Sequence, residues 1–420
     1  MLKQLNRRRT RLGVENRLFV GAVFVGLVHA LDDAVLNRQP GVPAHQHLMG
    51  LGLVLVTGVA ASAVFGHLRT GLRSALALIA GAFTLTNGGL HVIHVITAGA
   101  ERSDYTGGLA AISGMVLLGL GVAIPWLHRG EGDAGRLRRW GNRGVAVVAS
   151  LTLAQFFVIP VGVGMVQTHM YRREVAAPPS PAFRPVTFDS ADGLRLSGWY
   201  LPSKNRAAVV VVNSAGGIRN GSIEHAELLA EHGYGVLLYD ARGSGESEGS
   251  PNGWGWGWEH DVAGAVAFLK SRPDVDADRL GGLGLSTGAD VLIEAAAIDH
   301  DLRVVVADGA TAMSFADRGP GVVATAFSWP MITAGEVFSG TSQDKPLTEL
   351  AAEVSPTALL LIAAGSIPME LLANERYAAA AHEPVELWSL PEVAHTNAID
   401  EVAGEYERRV IDQLDTVLLG

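Results

Sequence analysis

A serine framed by glycines, in Gly284-Leu285-Ser286-Thr287-Gly288, is the first place where this chain could do chemistry. A serine hydroxyl is a poor nucleophile at neutral pH, and it needs an adjacent base to take its proton. It must also be lifted clear of its neighbours, and the flanking sequence predicts how. Asp278-Arg279-Leu280-Gly281-Gly282-Leu283 reads as a short buried strand, and Ala289 to Ala297 reads as a helix with small residues at its start. A serine at such a corner sits in a strained turn that presents its hydroxyl above a sheet. Glycines are required on either side, because a side chain there would collide with backbone. In a chain with 51 glycines the pentapeptide alone is a weak signal, and the strand and helix around it give it weight.

The elements that must position this serine alternate between strands and helices. Ala176-Ala177-Pro178-Pro179-Ser180-Pro181 is a stiff, extended linker. After it, Pro185 to Ser190 and Leu194 to Leu201 read as a hairpin around Asp192-Gly193. Ala207 to Val212 is a fully buried strand, Glu224 to His232 a helix ended by Gly233, and Val236 to Tyr239 the next strand. A helix over His260 to Ser271 precedes the serine's strand. Strands over Arg303 to Ala307, Thr357 to Ala363 and Val385 to Leu390 follow, and an amphipathic helix over Tyr406 to Leu419 closes the chain.

Three motifs stand in order on this pattern: Asp240-Ala241-Arg242-Gly243-Ser244-Gly245-Glu246-Ser247, the glycine-framed serine, and Leu390-Pro391 followed by His395. In this the chain resembles the α/β-hydrolase superfamily from about residue 184 to its end. The resemblance implies a mostly parallel sheet flanked by helices, with Ser286 as nucleophile and His395 as its base. His225, His232 and His260 precede the serine, and His300 and His382 sit at helix ends, so they fit that role less well. The family's acid usually follows the strand ending at Ala363. Here the loop reads Gly365-Ser366-Ile367-Pro368-Met369-Glu370, without the family's aspartate. Glu370 is the expected acid, with Glu375 and with Asp308 at the end of the preceding strand as alternatives. The resemblance places the oxyanion hole at the backbone N–H groups of Thr287 and Ala215, where Asn213-Ser214-Ala215-Gly216-Gly217 replaces the family's frequent His-Gly.

Two further regions could shape a pocket. Gly253-Trp254-Gly255-Trp256-Gly257-Trp258 offers three indoles, either as an apolar wall or as loop packing. Ser314 to Ser355 interrupts the sheet pattern and could form a cap or a surface that rests on a membrane.

The first 170 residues are of another kind. They carry 15 Lys/Arg against 7 Asp/Glu, whereas residues 171–420 carry 17 against 35. The mean hydropathy of +0.25 comes from their long apolar runs. Five segments are long enough to span a bilayer: about Leu18–Leu36, His47–Leu68, Leu72–Ala98, Leu109–Leu127 and Val145–Val166. The first lacks a small-residue cleavage site and is followed by four more, so it reads as a span. Domains are therefore expected at 1–170 (helical, membrane), 171–183 (linker) and 184–420 (α/β hydrolase). Lys3, Arg7, Arg8, Arg9, Arg11 and Arg17, then Arg69 and Arg73, then Arg129, Arg136, Arg138, Arg139 and Arg143 fall on one side of this arrangement. The opposite loops hold Arg38 and Arg102. The excess of basic residues makes the first side cytoplasmic and the hydrolase half extracytoplasmic, with Arg172 and Arg173 counting mildly against it.

His29, Asp32 and Asp33 share one helix face, His91 and His94 another, and His45 and His47 flank the second span. They form either a metal or proton site or a set of interhelical hydrogen bonds. With no cysteine there are no disulfides or thiolate ligands. With no basic face, nucleic acid is not an expected partner. The expectation is a multi-pass, membrane-anchored serine hydrolase that needs no metal or organic cofactor. It would cleave a small ester, or a peptide-like amide, and have membrane lipid as its other partner. A peptidase of the same fold, or a non-catalytic hydrolase-like domain of a membrane sensor or transporter, is the alternative.

Overall fold

The long apolar runs of the first half fold as helices: α1 (Leu2–Leu31, continued by a π-turn Asp32–Leu36), α2 (Leu48–Phe65), α3 (Thr70–Ala98), α4 (Arg102–Leu127), α5 (Arg136–Leu153) and α6 (Ile159–Gln167). The computed structural model describes residues 2–43, 45–128, 136–170, 172–312, 314, 316–318, 321–343 and 345–420. Arg129 lies outside them. Among the described residues, five helical stretches are long and apolar enough to cross a membrane: Leu12–Leu36, Leu48–Phe65, Thr70–Thr97, Arg102–Leu127 and Val148–Gln167. Apolar helices gain little from burying apolar surface against one another in lipid, so they associate through close packing of small residues. α3 and α4 do this: a β-carbon on Gly88 would lie 2.3 Å from the Ala111 nitrogen, and one on Gly114 would lie 2.5 Å from that of Leu85.

The polar residues of these helices make interhelical hydrogen bonds. Asp104, at the start of α4, takes His91 Nδ1 and His94 Nδ1 on its two oxygens, each at 2.9 Å. A carboxylate only accepts, so each imidazole carries its proton on Nδ1. Thr106 Oγ1 donates to Asp32 at 2.5 Å and lies 3.1 Å from His29 Nδ1. His47 Nδ1 is 3.2 Å from the Phe338 carbonyl. Among the described residues, no three His, Asp or Glu side chains are arranged to hold a metal ion. Sequence reasoning missed Asp104, which precedes the apolar run beginning at Leu109.

The second half builds one eight-stranded sheet in the order β1-β2-β4-β3-β5-β6-β7-β8. β1 (Arg184–Asp189) and β2 (Arg195–Leu201) form the hairpin, followed by β3 (Ala208–Val212), α7 (Ile223–Glu231), β4 (Gly235–Tyr239) and α8 (Glu259–Lys270). Then come β5 (Leu280–Leu285), α9 (Thr287–Asp299), β6 (Val304–Asp308), α10 (Val322–Ser339), α11 (Leu347–Glu353), β7 (Ala358–Ala364), α12 (Pro368–Ala380), β8 (Val385–Leu390), α13 (Ala398–Glu401) and α14 (Ala403–Leu418). β2 runs antiparallel to β1 and β4, and every other pairing is parallel. This is the α/β-hydrolase fold. Strands β3 to β7 are buried along their whole length, which is why they read as runs of aliphatic residues, with glycines in β5, rather than as alternation of apolar and polar residues.

The chain forms two compact units. One takes in the residues up to Arg38, Pro43–Val166 and Ala326–Gly340; the other holds Gln39–Val42, Gln167–Thr325 and Thr341–Gly420. Most of α10 thus belongs with the helices of the first half: Gly164 abuts the Met331 carbonyl so closely that a β-carbon would come within 2.2 Å of it.

Candidate active site

The parallel strands end together at one edge of the sheet, and in such folds the crevice outside their carboxyl ends is where ligands bind. Ser286 stands there, between β5 and α9, with φ 54° and ψ −120°. This is a rarely populated conformation for a non-glycine residue, and local strain of this kind is concentrated at functional sites. The sharp turn brings flanking backbone together. A β-carbon on Gly284 would lie 2.3 Å from the Gly288 carbonyl oxygen, and one on Gly288 would lie 2.2 Å from that of Val212. Both glycines are therefore steric requirements of the corner.

His395 follows β8 on a loop held by the Ser366 hydroxyl, which accepts the His395 N–H at 3.1 Å. Its Nε2 lies 2.9 Å from Ser286 Oγ and its Nδ1 lies 2.6 Å from Glu370 Oε2. Glu370 is buried, and its other oxygen accepts the Ala364 N–H at 2.7 Å. The carboxylate is thus oriented from behind by the end of β7 and in front by the imidazole. Glu370 does not lie in a loop, as the sequence suggested, but in the first turn of α12, which begins at Pro368. Glu375 is five positions along the same helix, about 140° around its axis, and is exposed.

Asp308 ends β6, the strand beside that of the serine, and its carbonyl accepts the Ser286 N–H at 2.8 Å. Burial pushes its carboxyl up to about 7, and the nearby Glu370 charge adds to the shift. A carboxyl that resists ionisation is a poor partner for an imidazolium. His395 is raised above the ordinary imidazole value, mainly by its hydrogen bond to Glu370. Burial opposes the rise, and the negative charges of Glu370, Asp308 and Asp290 support it.

The N–H of Thr287 is the first of the free donors at the start of α9. Ala215 follows β3 in the neighbouring loop. Neither N–H donates to an acceptor among the described residues.

The Asp240–Ser247 stretch holds the loops of this edge in place. Asp240 is buried, accepting the Arg219 N–H at 2.8 Å and the Glu246 N–H at 3.1 Å. Arg242 grips Asp261 of α8 at 2.7 Å and Asp192 of the hairpin turn at 2.9 Å. Trp254, Trp256 and Trp258 are all buried, the first two stacked with ring centroids 5.4 Å apart. Of the two readings of these indoles, loop packing describes what they do.

A family model described as X-Pro dipeptidyl-peptidase (S15 family) matches residues 171–402. The chain is 32% identical over 223 residues to the uncharacterized protein Rv2307c of Mycobacterium tuberculosis, an overlap of 52% of this chain and 74% of that protein. It is 34% identical over 125 residues to the thiohydrolase aneE of Aspergillus aculeatus, covering 29% of this chain and 39% of that protein. Among solved structures, the Pyrococcus furiosus esterase Pf2001 matches 60% of this chain and 98% of its own, with 22% identity and a TM-score of 0.48.

Proposed function

Because the chain belongs to the X-Pro dipeptidyl-peptidase (S15) family and is a hydrolase of α/β fold, we propose that it is a serine hydrolase acting on carboxylic esters through an acyl-enzyme. The observation that carries this reading is the hydrogen-bonded line from Ser286 through His395 to Glu370, at 2.9 and 2.6 Å. As Ser286 Oγ attacks the carbonyl carbon, His395 Nε2 takes its proton. Glu370 holds the imidazole in the tautomer with Nδ1 protonated and stabilises the cation that forms. The carbonyl oxygen gains charge and draws on the N–H groups of Thr287 and Ala215. His395 then returns the proton to the leaving oxygen, and water removes the acyl group by the same steps in reverse order. The residues present supply every proton transfer.

Esters are favoured over amides because an alkoxide or phenoxide leaves with less help from the acid than an amine requires. The peptidase family match supports a second reading, amide cleavage after proline. Labelling with a fluorophosphonate, followed by comparison of p-nitrophenyl esters with Xaa-Pro p-nitroanilides, separates the two. Ester turnover is expected to exceed anilide turnover; faster anilide cleavage would install the peptidase reading instead.

The enzyme is further proposed to be anchored by its apolar helices, with the catalytic half outside the cytoplasm, on the strength of the basic residues clustered on one side of the spans. Protease added to intact cells should then digest the chain beyond about Pro178. Protection of that half would reverse the orientation.

A further inference from the structure

The backbone that leaves α6 crosses the loops of the site before it reaches β1. The Gly253 N–H donates to the Gln167 carbonyl at 2.7 Å. Farther on, the Arg172 guanidinium donates to the carbonyls of Ser247 and Gly249, the latter at 3.0 Å. Between these anchors the Met170 side chain lies against two loops at once. A β-carbon on Gly216 would meet Met170 Cε at 2.2 Å, and one on Gly253 would meet Met170 Sδ at 2.9 Å. Gly216 directly follows Ala215, and the Gly253 carbonyl is 3.5 Å from Thr287 Oγ1. The thioether is thus packed between the loop that carries one oxyanion donor and the loop that touches the residue carrying the other.

We propose that Met170 is a specificity-determining wall of the acyl pocket and restricts the enzyme to short acyl groups. The inference rests on the reading of Ser286 as the nucleophile. A carbonyl whose oxygen sits between the Ala215 and Thr287 N–H groups must place its acyl substituent within a few ångströms of those loops, where the thioether already fills space. An unbranched, flexible side chain suits this place, since it closes an irregular gap without fixing the loops. A longer chain must displace it. Tethering at Gln167 and Arg172 keeps the backbone of the strap from moving aside with the side chain.

The test uses the full-length protein in detergent and two fluorophosphonates, one with a methyl and one with an octyl substituent on phosphorus. Both form a bond from Ser286 Oγ to phosphorus and expel fluoride, so the rate of labelling reads access to Ser286 without a known substrate. Met170→Ala is expected to raise the octyl rate by about tenfold and leave the methyl rate within about twofold, the scale on which apolar pockets discriminate chain length. Met170→Phe, which adds volume, should slow the octyl probe further. Met170→Leu should behave as the unsubstituted protein does. An octyl-to-methyl ratio unchanged across the three variants overturns the inference while leaving the hydrolase reading intact. Failure of both probes to label Ser286 in the unsubstituted protein removes that reading and this inference together.

Discussion

Ser286→Ala is expected to abolish fluorophosphonate labelling and to lower turnover by about 10⁶-fold, with His395→Ala nearly as damaging. In the proposed mechanism the two groups act as one device: without the serine there is no oxygen to acylate, and without the imidazole 2.9 Å away nothing takes its proton. The double variant should therefore be little worse than either single one, because what remains is the rate supplied by the backbone donors and by binding alone. Neither substitution should disturb the fold. Alanine at position 286 keeps the same backbone, and circular dichroism and the thermal unfolding midpoint should be close to those of the unsubstituted protein. Labelling that persists in Ser286→Ala would place the nucleophile elsewhere.

Glu370→Gln carries the second-largest expected loss, on the order of 10⁴-fold in kcat, because an amide can donate to Nδ1 and favour the wrong tautomer of the imidazole. The same variant has a signature in pH. His395 must be neutral to accept the serine's proton, so kcat/KM rises with pH as the imidazole deprotonates. Glu370 raises the His395 pKa, so this limb should lie above the ordinary value of 6.5 in the unsubstituted protein. Removing the carboxylate should move the limb to lower pH even as the plateau falls. Asp308→Asn and Glu375→Gln are expected to cost less than about tenfold and to leave the limb nearly in place. A severe loss in Asp308→Asn with a mild one in Glu370→Gln would move the acid to the end of β6.

The Ser286 corner could be read in the sequence because its causes are local: two glycines, a strand that must be apolar, and a helix that must start with small residues. The inner strands were legible for a related reason, since burial on both faces leaves no room for polar alternation. The proposed acid was not legible to the same degree. Glu370, Glu375 and Asp308 are all near the right place in the chain, and what separates them is three-dimensional. Glu370 is held by the Ala364 N–H, Glu375 is turned away by the helical repeat, and the Asp308 carboxyl is buried at the end of the neighbouring strand. In the helical half, the partner of His91 and His94 escaped notice because Asp104 stands outside the apolar run that marked its helix. The pairing of Asp104 with Glu101 in a capping box was the available signal. The Trp254–Trp258 run could not be resolved from composition, since an indole on a loop can line a cleft or fill the space behind it.

The way the chain is divided between its two units bears on any attempt to isolate the catalytic part. The hydrolase unit begins at Gln167, ahead of the proline-rich stretch, and it also claims Gln39–Val42, whose Pro40 carbonyl accepts the Gly249 N–H at 2.8 Å. Gln39 Oε1 is in turn held by Arg172 at 2.8 Å. A soluble fragment cut at Pro178 would discard both the strap and this borrowed turn. It would keep, as an orphaned insertion, the Ala326–Gly340 segment that packs with the helices. Each unit is therefore discontinuous in sequence, and no single cut in the chain separates the two.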